Sequence, residues 1–172
     1  FTGLTATDAT FDGADLSSAT LSGADLSRAS MVGVTAPRAD LSNTILAETD
    51  LSGAALANSN LSGAGGYGAN FSSTDLTGGN VVSTSFPSSD FTGTILRQAD
   101  LSQTSLYSSD LTGADLTYAT LDRSDLRNAD LTAANLTGAL LTDVVASRVK
   151  LTDSDLTGAA LTRGNFASAN FA

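Results

Sequence analysis

"LTGADLTYATLDRSDLRNADL", residues 111–131, carries a leucine at every fifth position. A helix repeats near 3.6 residues and a strand near 2. Five helical steps rotate a side chain by about 500°, so successive leucines point about 140° apart. Five steps along a flat strand put them on opposite faces. Neither conformation gathers these leucines on one side, so the chain must turn a corner between each leucine and the next.

The beat runs through the whole chain. With Phe1 taken as the first central site, i, the series 1, 6, 11 continues to Phe171 without a slip, thirty-five sites in all. Leucine fills twenty-two of them and phenylalanine seven, with Met31 and Val81 one each; the exceptions are Ala6, Ala36, Gly66 and Ala146. Alanine takes seventeen of the thirty-four sites at i−2, and most of the others there are Ser or Thr. Asp takes twelve sites at i−1 and Asn six, Ser or Thr dominates i+1, and Gly is frequent at i+2. A fixed short period over an entire chain is the mark of a repeat architecture.

This A(D/N)LXX pattern resembles the pentapeptide-repeat family over essentially the full length. The resemblance implies an all-β fold, a right-handed quadrilateral parallel β-helix, in which each pentapeptide forms one side and one corner. About 8–9 coils of twenty residues follow, making one solenoid domain over 1–172 with no recognisable caps. The residue chemistry suits that shape. Four Leu or Phe per coil nearly fill a narrow square and leave room only for small residues at i−2. Asp and Asn at i−1 face outward, where their oxygens can bond nearby backbone N–H groups. Gly at i+2 relieves the turn. Backbone groups pair with the coils above and below, and a rise of about 4.8 Å per coil gives a rod roughly 40 Å long.

Composition narrows the function. The chain has no Cys and no His, which excludes disulfides and thiolate metal sites and removes the commonest general base. A net charge of −10 opposes direct binding to nucleic-acid phosphates. No apolar run reaches membrane-spanning length and no signal peptide is visible. The chain opens at Phe1 and its only methionine is Met31, as expected of a processed or excised chain. No activated nucleophile or phosphate loop stands out, so neither catalysis nor a cofactor is expected. The glycosylation-like triplets at Asn60, Asn70 and Asn135, and the calcium-loop-like GGYGAN at 65–70, are by-products of the register.

Function on a repeat rod lies on its outward columns, where residues twenty apart stack. One column at i−1 reads Asp50, Asn70, Asp90, Asp110, Asp130, Lys150. Its run Asp90, Asp110, Asp130 is a candidate anionic stripe, for a cation or for recognition. A column at i+1 reads Tyr67, Pro87, Tyr107, Arg127, a candidate partner-binding face on which Arg127 can stack over Tyr107. Gly66, just before Tyr67, predicts a small void or a bulge. At the ends, Phe1, Phe11, Phe166 and Phe171 put large apolar groups into terminal layers whose backbone edges lie open to another strand.

Three function classes follow. The first is a structural scaffold, self-associating through its open ends into a filament or surface fibre. An extracellular or cell-surface setting is slightly favoured over the cytoplasm. The second comes from the family resemblance: an acidic mimic of duplex DNA that binds type II topoisomerases and confers quinolone resistance. The third is a protein-binding module using the Tyr67–Arg127 column, its partner unidentified.

Overall fold

A computed structural model describes all residues, Phe1–Ala172. The chain winds continuously, and each i−1 residue pairs in parallel with the residue twenty further on, from Thr5 with Asp25 to Lys150 with Asn170. Each pairing is a lone bridge, and no strand of two or more residues forms. Two residues in every five are spent on a corner, which leaves one bridge residue per side. The backbone is nonetheless saturated. Its 120 main-chain hydrogen bonds are about 0.7 per residue, the density of an ordinary fully laddered chain.

The corner explains the i+2 site. Every i+2 residue from Gly3 to Ser168 has positive φ, between 54° and 70°. Positive φ at the third position alone is the signature of a type II turn, which favours Gly or Asn there. Non-glycine residues such as Arg28 and Tyr118 accept it as well, because the ladder on both sides holds the corner in place.

The fate of the five N–H groups of each repeat explains the rest of the pattern. The i and i+2 groups donate to the following coil, as Ala6 does to Asp25 O and Gly3 to Ser22 O. The i−1 group donates to the preceding coil, as Asp25 does to Leu4 O, and the i−2 group closes the turn, as Ala14 does to Phe11 O. Only the i+1 N–H is left over. The Asp or Asn at i−1 accepts it, as Asp25 does from Ser27, Asp40 from Ser42, Asn70 from Ser72 and Asp110 from Thr112. The preference for Asp or Asn at i−1 therefore follows from one otherwise unpaired donor per repeat.

Inside, one apolar core runs from Leu21 to Leu151. The i residues and the small i−2 residues there are almost entirely buried. Buried hydroxyls at i−2 find backbone carbonyls: Thr49 donates to Leu26 O, Thr94 to Phe71 O and Ser109 to Phe86 O. Ser59 and Ser124 are exceptions, buried with hydroxyls that bond to nothing. Replacing either by alanine, the commonest residue at this site, is expected to raise stability by about 1 kcal/mol, since an unmade buried hydrogen bond is a net cost. Urea midpoints of S59A and S124A check it. Thr94→Ala, which deletes a made bond, should move the other way.

Gly66 makes no bulge, since the bridges Ile45–Gly65 and Gly65–Ser85 keep the twenty-residue register, and backbone of the coil below occupies the place of its side chain. A Cβ placed on it would lie 2.3 Å from the carbonyl carbon of Leu46, so its backbone has settled against the coil below. The rings of Phe71, Phe86 and Phe91 cluster beside it with centroids 4.8–6.1 Å apart. Because the turn bond from Ala69 N to Gly66 O is not made, Ala69 donates to Ser89 Oγ instead, and that hydroxyl reaches Gly66 O at 3.3 Å.

Candidate functional site

The corner that carries Tyr67, Pro87, Tyr107 and Arg127 is a straight stack. Their carbonyls accept from the N–H groups of Glu48, Gly68, Ser88 and Ser108 at 2.9, 3.2, 2.9 and 3.0 Å. Tyr67 and Tyr107 are exposed. The Arg127 guanidinium lies 5.5 Å from the Tyr107 ring centroid and is held there by two hydrogen bonds to Asp125. Those bonds hold the Asp125 carboxyl below its usual range, with burial opposing. Beyond Arg127 the corner continues into an open groove of about 430 Å³ bordered by Arg148 and Ala167.

This side of the rod has lost its caps. The i−1 residues before Ala47, Tyr67, Pro87 and Tyr107 are Ile45, Gly65, Ser85 and Ser105, with no Asp or Asn over four successive coils. In those coils the next side keeps Asp50, Asn70, Asp90 and Asp110, each accepting the i+1 N–H two residues on. Proline at 87 has no N–H to satisfy, which suits an uncapped site, and it fits the second position of a type II turn. The N–H groups of Tyr67 and Tyr107 find no acceptor in the chain. Ile45 is 49% exposed because its ladder neighbour Gly65 has no side chain to cover it. Sequence reasoning picked out the tyrosines but missed Ile45 and Gly65. The signal was an i−1 site without Asp or Asn, also present at the exposed Ile95, Leu140 and Val145.

The acidic stripe lies on the adjoining side, three residues on from each corner site. Asp90, Asp110 and Asp130 stack through direct bridges. One oxygen of each caps the threonine two residues on, and at Asp130 the other accepts from Lys150 Nζ at 2.7 Å. Burial works to raise the Asp130 pKa, but the Lys150 and Thr132 bonds outweigh it and the net direction is down. Asp90 and Asp110 carry no ion pair. Three carboxylates do not converge anywhere on the rod.

The capping role gives a pH dependence. The carboxyls of Asp15 and Asp25 lie below their ordinary value, first through the serine hydroxyl two residues on and then through that serine's N–H, against smaller desolvation. A depressed folded-state pKa contributes stability that is full above the unfolded value, near 3.8, and is lost as pH falls through the folded one. Stability is expected to hold from neutral pH to about pH 5 and to fall below about pH 4. Asp25→Asn keeps the acceptor oxygen and should flatten part of that acid limb. Thermal melts across pH read both.

At the ends, Phe1 and Phe171 are mostly exposed, whereas Phe11 and Phe166 pack partly against the core. Phe166 and Phe171 lie 5.8 Å apart by ring centroid. The N–H groups of Thr10, Asp15 and Thr20 in the first coil, and of Leu156, Leu161 and Phe166 in the last, make no bond. No helix is long and apolar enough to cross a membrane.

Comparison with known proteins agrees with this geometry. The model described as "Pentapeptide repeat region" matches residues 79–156, and that described as "Pentapeptide repeats (8 copies)" matches 1–35 and 38–64. No curated protein sequence matches. Among solved structures, the chain is similar to HetL of Nostoc sp. strain PCC 7120, a pentapeptide repeat protein involved in heterocyst differentiation regulation. Identity there is 29% over 95% of this chain and 87% of that one, with a TM-score of 0.54. A trypsin-treated variant of QnrB1, a plasmid-mediated fluoroquinolone resistance protein, superposes at a TM-score of 0.74, with 25% identity over 93% of this chain and 83% of that one. A second QnrB1 variant, 16% identical over 98% of this chain and 82% of that one, has a TM-score of 0.68 and shows the fold alone. These neighbours imply a right-handed quadrilateral β-helix, and the chain belongs to the pentapeptide-repeat family.

Proposed function

We propose that this protein is a non-catalytic structural scaffold that binds other proteins through an outward column of its rod. The observation that carries the reading is the uncapped corner. Elsewhere most carboxylates and hydroxyls at i−1 and i−2 serve the ladder. Here four successive coils give up the capping residue, and three of them present Tyr67, Pro87 and Tyr107. Exposed aromatic and Arg side chains are what interfaces use as anchors. A photo-crosslinking residue placed at 107, and for comparison at Thr112, tests it in the cell that makes the protein. A discrete adduct with another protein from 107 alone supports the reading. No adduct, or equal adducts from both positions, overturns it.

A second reading, self-association end to end, draws on the unpaired N–H groups of the terminal coils and the exposed Phe1 and Phe171. A head-to-tail contact that does not close produces an open polymer. Sedimentation velocity over a concentration series tests it, and a single short-rod species at every concentration argues against it. The likeness to QnrB1 motivates one control, a gyrase supercoiling assay, in which unaltered supercoiling removes the duplex-mimic reading.

A further inference from the structure

The geometry points to the occupant of the Tyr67–Tyr107 corner: a basic, proline-bearing segment in the polyproline II conformation, lying along the rod axis. The inference rests on the protein-binding reading above and gives it a ligand class.

Three observations converge on this occupant. The first is the pair of free donors. The N–H groups of Tyr67 and Tyr107 have no acceptor in the chain, and at capped corners this same donor is met by a carboxylate or amide oxygen on the outside of the rod. A polyproline II strand makes no internal hydrogen bonds and keeps its carbonyls free to accept.

The second is pitch. Tyr67 and Tyr107 are two coils apart, about 9.6 Å at a coil spacing of about 4.8 Å. One turn of polyproline II covers three residues at 3.1 Å each, about 9.3 Å. Prolines three apart therefore meet the two rings in step, and carbonyls three apart meet the two donors in step. Pro87 lies between the rings and leaves the surface there without a donor that would compete. Aromatic surfaces select such strands because the conformation is formed before binding.

The third is charge. On the side adjoining the corner, Asp50, Asp90 and Asp110 stand on the same coils as Ala47, Pro87 and Tyr107, and Glu48 lies on the corner itself. Asp90 and Asp110 have no cationic partner. In the next two coils Arg127, Arg148 and Lys150 outnumber Asp125 and Asp130, so the local balance turns from negative to slightly positive. A strand with one Lys or Arg per turn places its cations over the acidic coils and stops short of the basic ones.

The test uses the purified protein and fluorescein-labelled twelve-residue peptides read by anisotropy at low and physiological salt. The peptide of four Pro-Pro-Arg triplets is expected to bind. The Pro-Pro-Glu peptide should fail on charge, and the Ala-Ala-Arg peptide should bind at least tenfold more weakly for want of the preformed strand. Y67S/Y107S restores the commonest residue class of that site, so it should fold as the parent does and lose at least tenfold in affinity. D90N/D110N keeps the capping oxygens, as Asn70 does, and should lose affinity and most of the salt dependence. Equal binding of the Ala-Ala-Arg peptide, undiminished binding by Y67S/Y107S, or no binding of the Pro-Pro-Arg peptide overturns the proposal. If crosslinking at 107 still captures a protein partner in that event, the binding reading survives and only the ligand class falls.

Discussion

Phe71→Ala is expected to cost about 3–5 kcal/mol, the range for removing a buried aromatic side chain. The upper part of that range applies, because Phe71 is fully buried and at the centre of a cluster. Its ring stacks on Phe91 at 4.8 Å and meets Phe86 edge-on at 5.0 Å. The cost of such a cavity depends on how far its walls can relax. Here they barely can. Phe71 N is tied to Asp90 O at 2.7 Å, and Phe71 O accepts from the Thr94 hydroxyl at 2.7 Å. Collapsing the cavity would break these bonds to the following coil. Coils of a solenoid contact only their neighbours, so the damage should be local before it is global. Hydrogen exchange should quicken first at the amides of residues 66–96, ahead of the rest of the rod. Urea denaturation gives the magnitude. Tyr118→Ala, at a mostly exposed ring, is the control and should stay within about 0.5 kcal/mol of the parent. A loss under 1 kcal/mol for F71A would mean that the rod relaxes far more freely than its hydrogen bonding allows.

Much of this fold is legible in the sequence for one physical reason: each site of the five-residue repeat has a single job. Leucine at 111, 116 and 121 has to be inside, alanine at 114 and 119 has to be small, and aspartate at 110 and 115 has to cap a donor. The backbone conformation at i+2 was readable from Gly113 but not from Tyr118, which takes the same positive φ under the constraint of its neighbours. The short bridges in place of extended strands come from corner geometry that composition does not reveal. Of the candidate site, the Tyr67–Arg127 column and the stacking of Arg127 on Tyr107 were legible, because aromatic residues stand out at a register position filled mostly by Ser and Thr. The free N–H groups were not, because seeing them requires knowing that the cap lies two residues earlier. Once that rule is known, Ile45, Gly65, Ser85 and Ser105 read as four missing caps in a row.

Gly66→Leu restores the consensus residue, and it is expected to destabilise the protein by more than the 1–3 kcal/mol typical of an overpacked core. A repeat-based argument predicts the opposite, since leucine fills this register position in most repeats. The contact geometry decides between them. A Cβ at residue 66 would sit 2.3 Å from Leu46 C, 2.4 Å from Leu46 O and 2.5 Å from Ala47 N. These are backbone atoms in a ladder, where Leu46 N donates to Gly65 O and Glu48 N to Tyr67 O, so the coil below cannot yield as a flexible side chain would. Two causes of the loss can be separated. If ring volume were the obstacle, Phe86→Leu would make room and the double variant would recover. If the backbone approach is the obstacle, Phe86→Leu gives no rescue, and Gly66→Ala alone already costs most of the penalty. The second outcome is expected. The same substitution should also weaken the Pro-Pro-Arg peptide, because Tyr67 follows directly in the chain and its carbonyl bond to Glu48 N fixes where its ring stands. A Gly66→Leu variant as stable as the parent would mean that the core at this coil is a vacancy after all, and that the tyrosine corner owes nothing to the glycine before it.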